Sequence, residues 1–243
     1  MIVVDSIGFS GTHSITEILR EVPNSRVAHG SKNFDTLKGL GPDNVNPQEF
    51  SEQMVRANKN GEDCFAVHCT FDPVESKDAF ANAGISHKIL MRDPKRQIRS
   101  CYAWITKKIM DGDGGALRTV TNFNRDLVIP LGLNPNLSNA MFAFAVNHCT
   151  SYAMKALASG LEIVRMEDVL NSEKAFMDTF EIKKDIELSH FSGGAKKHVA
   201  SHKSKVEALG LAKPDEDAIL GGLTYNVGQK SYSFADFAKE LGY

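Results

Sequence analysis

The sequence predicts an α/β fold, a central and mainly parallel sheet flanked by helices. Short apolar runs alternate with helical stretches along most of the chain. One of those runs, Cys64–Cys69 (CFAVHC), reads as a buried strand. With 243 residues and 42% hydrophobic content, the chain can build one sizeable core, and residues 1–243 are expected to form a single domain.

Taken in order, Ile2–Val4 is a β-branched run, followed by a Gly/Ser loop and a helix from Thr12 to Glu21. Arg26–His29 is a second short strand, and residues 47–60 form a helix with Pro47 in its first turn. A helix at 74–83, a strand at Lys88–Met91 and a long helix from Pro94 to Met110 follow. Residues 111–137, with GDGG, LVIPLGL and NPN, break this rhythm and read as an irregular lid or acceptor-binding segment. A helix at 138–159, a strand at Leu161–Met166, a helix at Ser172–Phe180 and a last helix near 233–241 complete the pattern. There is no internal repeat and no low-complexity linker.

The formal net charge of −2 gives no electrostatic case for a nucleic acid or an anionic membrane as partner. No apolar run approaches the roughly 20 residues that span a bilayer. Cys64, Cys69, Cys101 and Cys149 form no C-x-x-C pair and have no zinc spacing, so a reduced, cytoplasmic setting and no metal are expected.

Two segments carry chemistry. Ser6-Ile7-Gly8-Phe9-Ser10-Gly11-Thr12-His13-Ser14 links the first strand to a helix. Small residues let such a turn expose successive N–H groups. The helix start adds unpaired donors and a positive dipole end, a cradle for phosphate or sulfate. It has no Walker A lysine. The plain alternative is an ordinary strand–helix turn with a Ser or Thr cap. The second segment is Lys88-Ile89-Leu90-Met91-Arg92-Asp93-Pro94, continuing to Ser100 and Tyr102. Arg92 stands where a strand ends, the edge at which open α/β sheets bind ligands. With Ser100 it can grip a phosphate through charge-assisted bonds.

These segments resemble the sulfotransferase family that uses 3′-phosphoadenosine 5′-phosphosulfate (PAPS). Phe9-Ser10-Gly11-Thr12-His13 is similar to that family's K-S-G-T-[TS] loop, which binds the 5′-phosphosulfate. Met91-Arg92-Asp93-Pro94 with Ser100 and Tyr102 is similar to its L-R-[ND]-P-x-x-R-x-x-S-x-Y pattern, whose Arg and Ser bind the 3′-phosphate. Val164-Arg165-Met166-Glu167-Asp168-Val169 looks like a third family pattern, read as structural. The resemblance spans about residues 1–180. Phe9 stands at the family's loop lysine, and Gln97 at the arginine of the second pattern, with Arg96 beside it.

The resemblance implies a P-loop-like sheet, PAPS as co-substrate and sulfuryl transfer to a small-molecule or glycan acceptor. It assigns Phe9, Ser10, Gly11, Thr12, His13 and Ser14 to the phosphosulfate, and Arg92 and Ser100 to the 3′-phosphate. His68, at the end of its strand, matches the family's strand-end histidine and is the candidate general base. The bland alternative is a core histidine held by a backbone carbonyl. Asp72 and Glu75 are the reserve bases. The basic stretch 196–205 and Gly228-Gln229-Lys230 are each placed to touch the 3′-phosphate or to be solvated loops. Two other classes stay open: a P-loop small-molecule kinase, and a non-catalytic module that binds a nucleotide or sulfated ligand.

Overall fold

The computed structural model describes residues 1–31, 33–37, 45–183, 185–192 and 211–243. The chain divides into two compact units, Met1–Arg92 with Lys155–His198, and Asp93–Met154 with Val199–Tyr243. The basic stretch 196–205 lies outside the described residues.

The first unit contains a five-stranded parallel sheet, β1 (Ile2–Asp5), β2 (Ser25–His29), β3 (Asp63–Val67), β4 (Ser86–Met91) and β5 (Glu162–Arg165). The strand order is β2-β3-β1-β4-β5, so β1 is central and every strand points the same way. This is the expected α/β class, compatible with a Rossmann-like or P-loop-like arrangement. Helices α1 (Thr12–Leu19), α2 (Pro47–Lys59) and α3 (Pro73–Asn82) connect the strands.

Both faces of the sheet are covered, which is why the inner strands β1 and β3 are buried almost throughout rather than alternating. On one face Ile2, Val4, Phe65, Val67 and Leu90 pack with Ile15, Ile18 and Leu19 of α1 and with Phe176 and Phe180. On the other, Val3, Ala28 and Ala66 meet Phe50 and Met54 of α2 and Phe80 of α3. The period of two along β1 thus sends Ile2 and Val4 one way and Val3 the other.

The second unit holds α4 (Pro94–Met110), α5 (Gly114–Phe123), a π-helical turn (Asn124–Val128) and the first part of α6 (Leu137–Ser159). The segment 111–137 therefore departs from expectation: most of it is helical, not irregular. Gly114 and Gly115 read as breakers, yet they occupy the first turn of α5, where Asp113 accepts the Ala116 N–H at 2.9 Å. Val120 of that helix is buried with Ile105, Ala140 and Met141. Helix α7 (Met166–Asn171) begins at the residue where the expected strand Leu161–Met166 ends, and α8 (Glu173–Thr179) follows it in the first unit. The tail adds α9 (Glu216–Gly221), the hairpin β6 (Tyr225–Val227) and β7 (Lys230–Tyr232), and α10 (Phe234–Glu240). Gly228 and Gln229 form the hairpin's turn.

Three helices begin on a polar cap followed by proline. Asn46 accepts from Glu49 N, Asp72 from Val74 N, and Asp93 from Arg96 N. The cap satisfies an orphan donor, and proline costs nothing where no N–H is needed. Among the described residues no helix is long and apolar enough to cross a membrane.

One polar residue buried in the sheet stands without a hydrogen-bond partner among the described residues. His87 of β4 is 9% exposed, lies edge-on against Phe80, and neither ring nitrogen has a partner among the described residues. Burial pushes its pKa down from 6.5 to about 4, so it is neutral in the fold. As pH falls below 6.5 the unfolded chain takes up a proton that the folded chain refuses, and stability drops. His87→Leu should remove this loss. Urea unfolding at a series of pH values should show the variant gaining on the wild type from pH 6.5 downward, by on the order of 3 kcal/mol near pH 4.

Candidate functional site

Each of β1 to β4 carries a polar residue at or just beyond its carboxyl end. Asp5 ends β1, His29 ends β2, His68 follows β3 and Arg92 follows β4. Ligand sites in open α/β sheets form at this edge, where loops leave the strands.

Asp5 organises the edge. It is fully buried, and its carboxylate accepts Ser6 N and Thr70 N at 2.7 Å on one oxygen and Phe71 N at 3.0 Å on the other. It thereby ties the loop after β1 to the turn after β3. That turn is unusual, with His68 and Thr70 both at φ 60°. A left-handed backbone costs an L-residue roughly 1–2 kcal/mol. Here the buried carboxylate holds the turn in place. β3 consequently stops at Val67, one residue before His68, because the chain turns to present its amides to Asp5.

The loop from Ser6 to Gly11 is folded by its own hydroxyls. Ser10 Oγ donates to Gly8 O at 2.9 Å, Ser6 Oγ accepts Gly8 N at 3.0 Å, and the two hydroxyls are 2.9 Å apart. With the Ser10 proton committed to Gly8, Ser6 is the donor between them. Ser10 is fully buried, so its hydroxyl builds the turn rather than facing a ligand. Thr12 is 5% exposed, and its Oγ1 lies 3.1 Å from His29 Nε2. His13 is exposed and Ser14 half-exposed. Gly11 caps α1 in a left-handed conformation without a side-chain bond. The first backbone bond of the helix is Ile15 N to Gly11 O, so the amides of Thr12 to Ser14 precede the helical ladder.

Two glycines are required by close approach. A Cβ on Gly8 (φ +99°) would sit 2.7 Å from His68 Cε1, so the imidazole lies flat against the loop. A Cβ on Gly11 would meet Leu170 Cδ1 at 2.9 Å and Met166 Sδ at 3.0 Å. The segment Val164–Val169, read as structural, thus backs the loop through α7.

Arg92 reaches the same loop. Its Nη1 donates to Phe9 O at 3.2 Å. Phe9, at φ 61°, turns that carbonyl toward the arginine. Ser100 is half-exposed on α4, which belongs to the second unit. Asp72 is occupied as the cap of α3 and pairs with Lys155 at 2.5 Å. Burial raises its pKa, but Lys155 and the Val74 and Glu75 amides outweigh this and leave it low. It is a poor base. A groove of about 380 Å³ between α2 and α3, lined by residues such as Gln48, Arg56 and Asn82, includes none of the loop residues.

His68 Nδ1 lies 3.2 Å from Ser6 O. A carbonyl only accepts, so Nδ1 carries the proton and Nε2 is the basic nitrogen. The bland alternative for His68 is therefore half right: a carbonyl does hold it, and in doing so defines its tautomer.

The chain matches no family model. No curated protein and no solved structure matches it either.

One residue missing from the expected site is His29. Its ring stacks on His13, centroids 4.3 Å apart, and lies 5.0 Å from the His68 ring. Burial, then the neighbouring His68, His13 and Arg20, push its pKa down to about 4. The signal was present: Val27-Ala28-His29 and Ala66-Val67-His68 end adjacent parallel strands in the same way, with His29 opposite Val67. Among the described residues no three metal-ligating side chains are grouped to hold an ion.

Two substitutions test this construction. Asp5→Asn points an amide donor at backbone donors and should cost about 1–3 kcal/mol in urea unfolding. Burial raises the Asp5 pKa to about 7 against the pull of the Thr70, Ser6, Phe71 and Cys69 amides. Its contribution is therefore present below 3.8 and lost as pH rises through about 7, opposite in sign to that of His87. The variant-minus-wild-type difference should isolate that slope. Gly8→Ala should displace the His68 ring. Its ring signals should shift in NMR spectra, with a stability loss of roughly 1–2 kcal/mol from the left-handed alanine alone.

Proposed function

We propose that this chain is a PAPS-dependent sulfotransferase on a P-loop-like sheet. The observation that carries the reading is the bond from Arg92 to the Phe9 carbonyl. It joins the two segments that the family resemblance singles out, at the carboxyl edge of β1 and β4, where the strand order changes direction.

In this reading the amides at the start of α1 hold the phosphosulfate and stabilise charge that develops on it. Arg92 fixes the 3′-phosphate, with Ser100 assigned beside it on sequence spacing. His68 Nε2 takes the proton from an acceptor hydroxyl or amine as the new bond to sulfur forms. The bond from sulfur to the bridging oxygen breaks, and 3′,5′-adenosine bisphosphate leaves with the electron pair. The residues fit an anion better than a cation, because the loop offers backbone donors and its near neighbours are Arg92 and imidazoles.

One observation favours a second reading, a non-catalytic module that binds a nucleotide or sulfated ligand. Phe9 offers no charge to the bridging oxygen, and the Ser10 and Thr12 hydroxyls are committed within the protein. A P-loop kinase lacks its lysine here.

Thermal unfolding with nucleotides separates these readings. 3′,5′-Adenosine bisphosphate without metal should raise Tm, and ATP with Mg²⁺ should not. Arg92→Ala should weaken bisphosphate binding by about 10- to 100-fold. His68→Ala should keep binding and lower sulfuryl transfer from radiolabelled PAPS to a panel of phenols, sugars and amines by about 100-fold. Stabilisation by ATP with Mg²⁺ alone would point to the kinase. Binding without transfer in the wild type would leave the module.

A further inference from the structure

The four cysteines are free thiols, all buried, and they divide into two kinds. In the first unit each thiol is turned to a backbone carbonyl. Cys64 Sγ lies 3.6 Å from Met54 O and 3.5 Å from Glu62 O, and Cys69 Sγ lies 3.7 Å from Gly30 O. In the second unit Cys101 and Cys149 are turned to each other, and their side chains share a hydrogen bond. They are 0% and 3% exposed, so bulk water does not reach the pair.

The packing of two helices brings these thiols together. Cys101 belongs to α4 and Cys149 to α6. The same helices meet where the Tyr102 and Phe142 rings lie 5.9 Å apart, and where Thr106 Oγ1 lies 3.4 Å from Met141 Sδ. The contacts therefore run in opposite senses along α4 and α6. Ala145 and Ala153 stand one turn to either side of Cys149, on its face of α6, and both are buried. Small side chains at those positions let the backbones approach, which a disulfide requires, since its Cα atoms lie about 4.4–6.8 Å apart. As packing, a buried thiol acts as a small apolar group. Packing alone does not call for a second thiol opposite the first.

We propose that Cys101 and Cys149 form a redox-sensitive pair, which hydrogen peroxide closes into a disulfide that ties α4 to α6 within the second unit. One sulfur, as its thiolate, attacks a peroxide oxygen. The O–O bond breaks, a sulfenic acid forms, and the departing hydroxide takes up the thiol proton as water. The second sulfur then attacks the first, the S–O bond breaks and a second water leaves. The two sulfurs lose two electrons, peroxide gains them, and both thiol protons end in water. A dithiol reductant reopens the bond. Peroxide suits the site because it is small and uncharged. Burial, then the neighbouring Cys101, push the Cys149 thiol up, so thiolate is scarce and closure is slow. The inference goes beyond the proposed function and does not rest on it.

The full chain is incubated with hydrogen peroxide at about pH 8, sampled over hours, then denatured in an alkylating reagent. The reduced protein takes up four alkyl groups, and the closed protein should take up two fewer. Proteolytic mapping without reductant should show one linked peptide pair, holding Cys101 and Cys149, with Cys64 and Cys69 alkylated. A bond that closes a loop of about 50 residues should raise Tm by roughly 5–10 °C, and dithiothreitol should reverse the rise. Cys101→Ala and Cys149→Ala should each show no linked peptide and no rise in Tm with peroxide. The wild-type map decides the matter even if an alanine variant folds poorly. Cys101 and Cys149 still alkylated after peroxide, oxidised separately to sulfinic acid, or linked to Cys64 or Cys69 would overturn the pair. A closed bond that lowers Tm would overturn the tie between the helices.

Discussion

A buried carboxylate at the end of the central strand holds this edge of the sheet together. Asp5 receives amides from its own loop and from the turn after β3, so the two segments are joined through one side chain. The geometry that follows depends on it. The left-handed residues His68 and Thr70 persist because their neighbours' N–H groups have a place to go. His68 then lies against Gly8, where only a glycine leaves room for the ring. A carboxyl group this deep resists ionisation, while its amide partners favour the ionised form. The edge is built on a compromise between those two tendencies.

Strand and helix positions were legible because their physics is local. The continuous apolar runs match a sheet covered on both faces, and the Asn-Pro and Asp-Pro pairs mark helix starts. Residues 111–137 differ from expectation in part because a capped first turn tolerates the Gly-Gly pair of GDGG. The site was only partly legible. The Gly/Ser loop, His68 and Arg92 stand out by spacing, and they do gather in the first unit. Asp5 does not stand out and His29 shows only as a second strand-end histidine, because what defines each is a partner distant in sequence: Thr70 and Phe71 for the one, Thr12 and His68 for the other. The fates of the Ser10 and Thr12 hydroxyls were hidden for the same reason. A motif shows which groups are near a loop, not which of them the loop consumes to fold itself.

That distinction shapes the chemistry available. Ser6, Ser10 and Thr12 spend their hydroxyls on structure, and Phe9 contributes its carbonyl to Arg92. The loop's surroundings also include the amides that start α1, the Ser14 hydroxyl, the imidazoles and the Arg92 guanidinium. Backbone donors recognise oxygens by shape and number, whereas imidazoles bring a charge that depends on pH.

The position of β1 in the sheet also bears on how the chain comes to fold during synthesis. β1 precedes both of its neighbours in the chain by some distance, since they lie at Asp63–Val67 and Ser86–Met91. Until those segments leave the ribosome, Ile2, Val3 and Val4 have no strand to pair with, and Asp5 lacks its amides from Thr70 and Phe71. Pairings this distant in sequence form slowly, after the entropy of closing long loops has been met. β1 therefore remains an unpaired apolar segment until they are made, the stage at which a chaperone that shields short hydrophobic stretches has most to offer it.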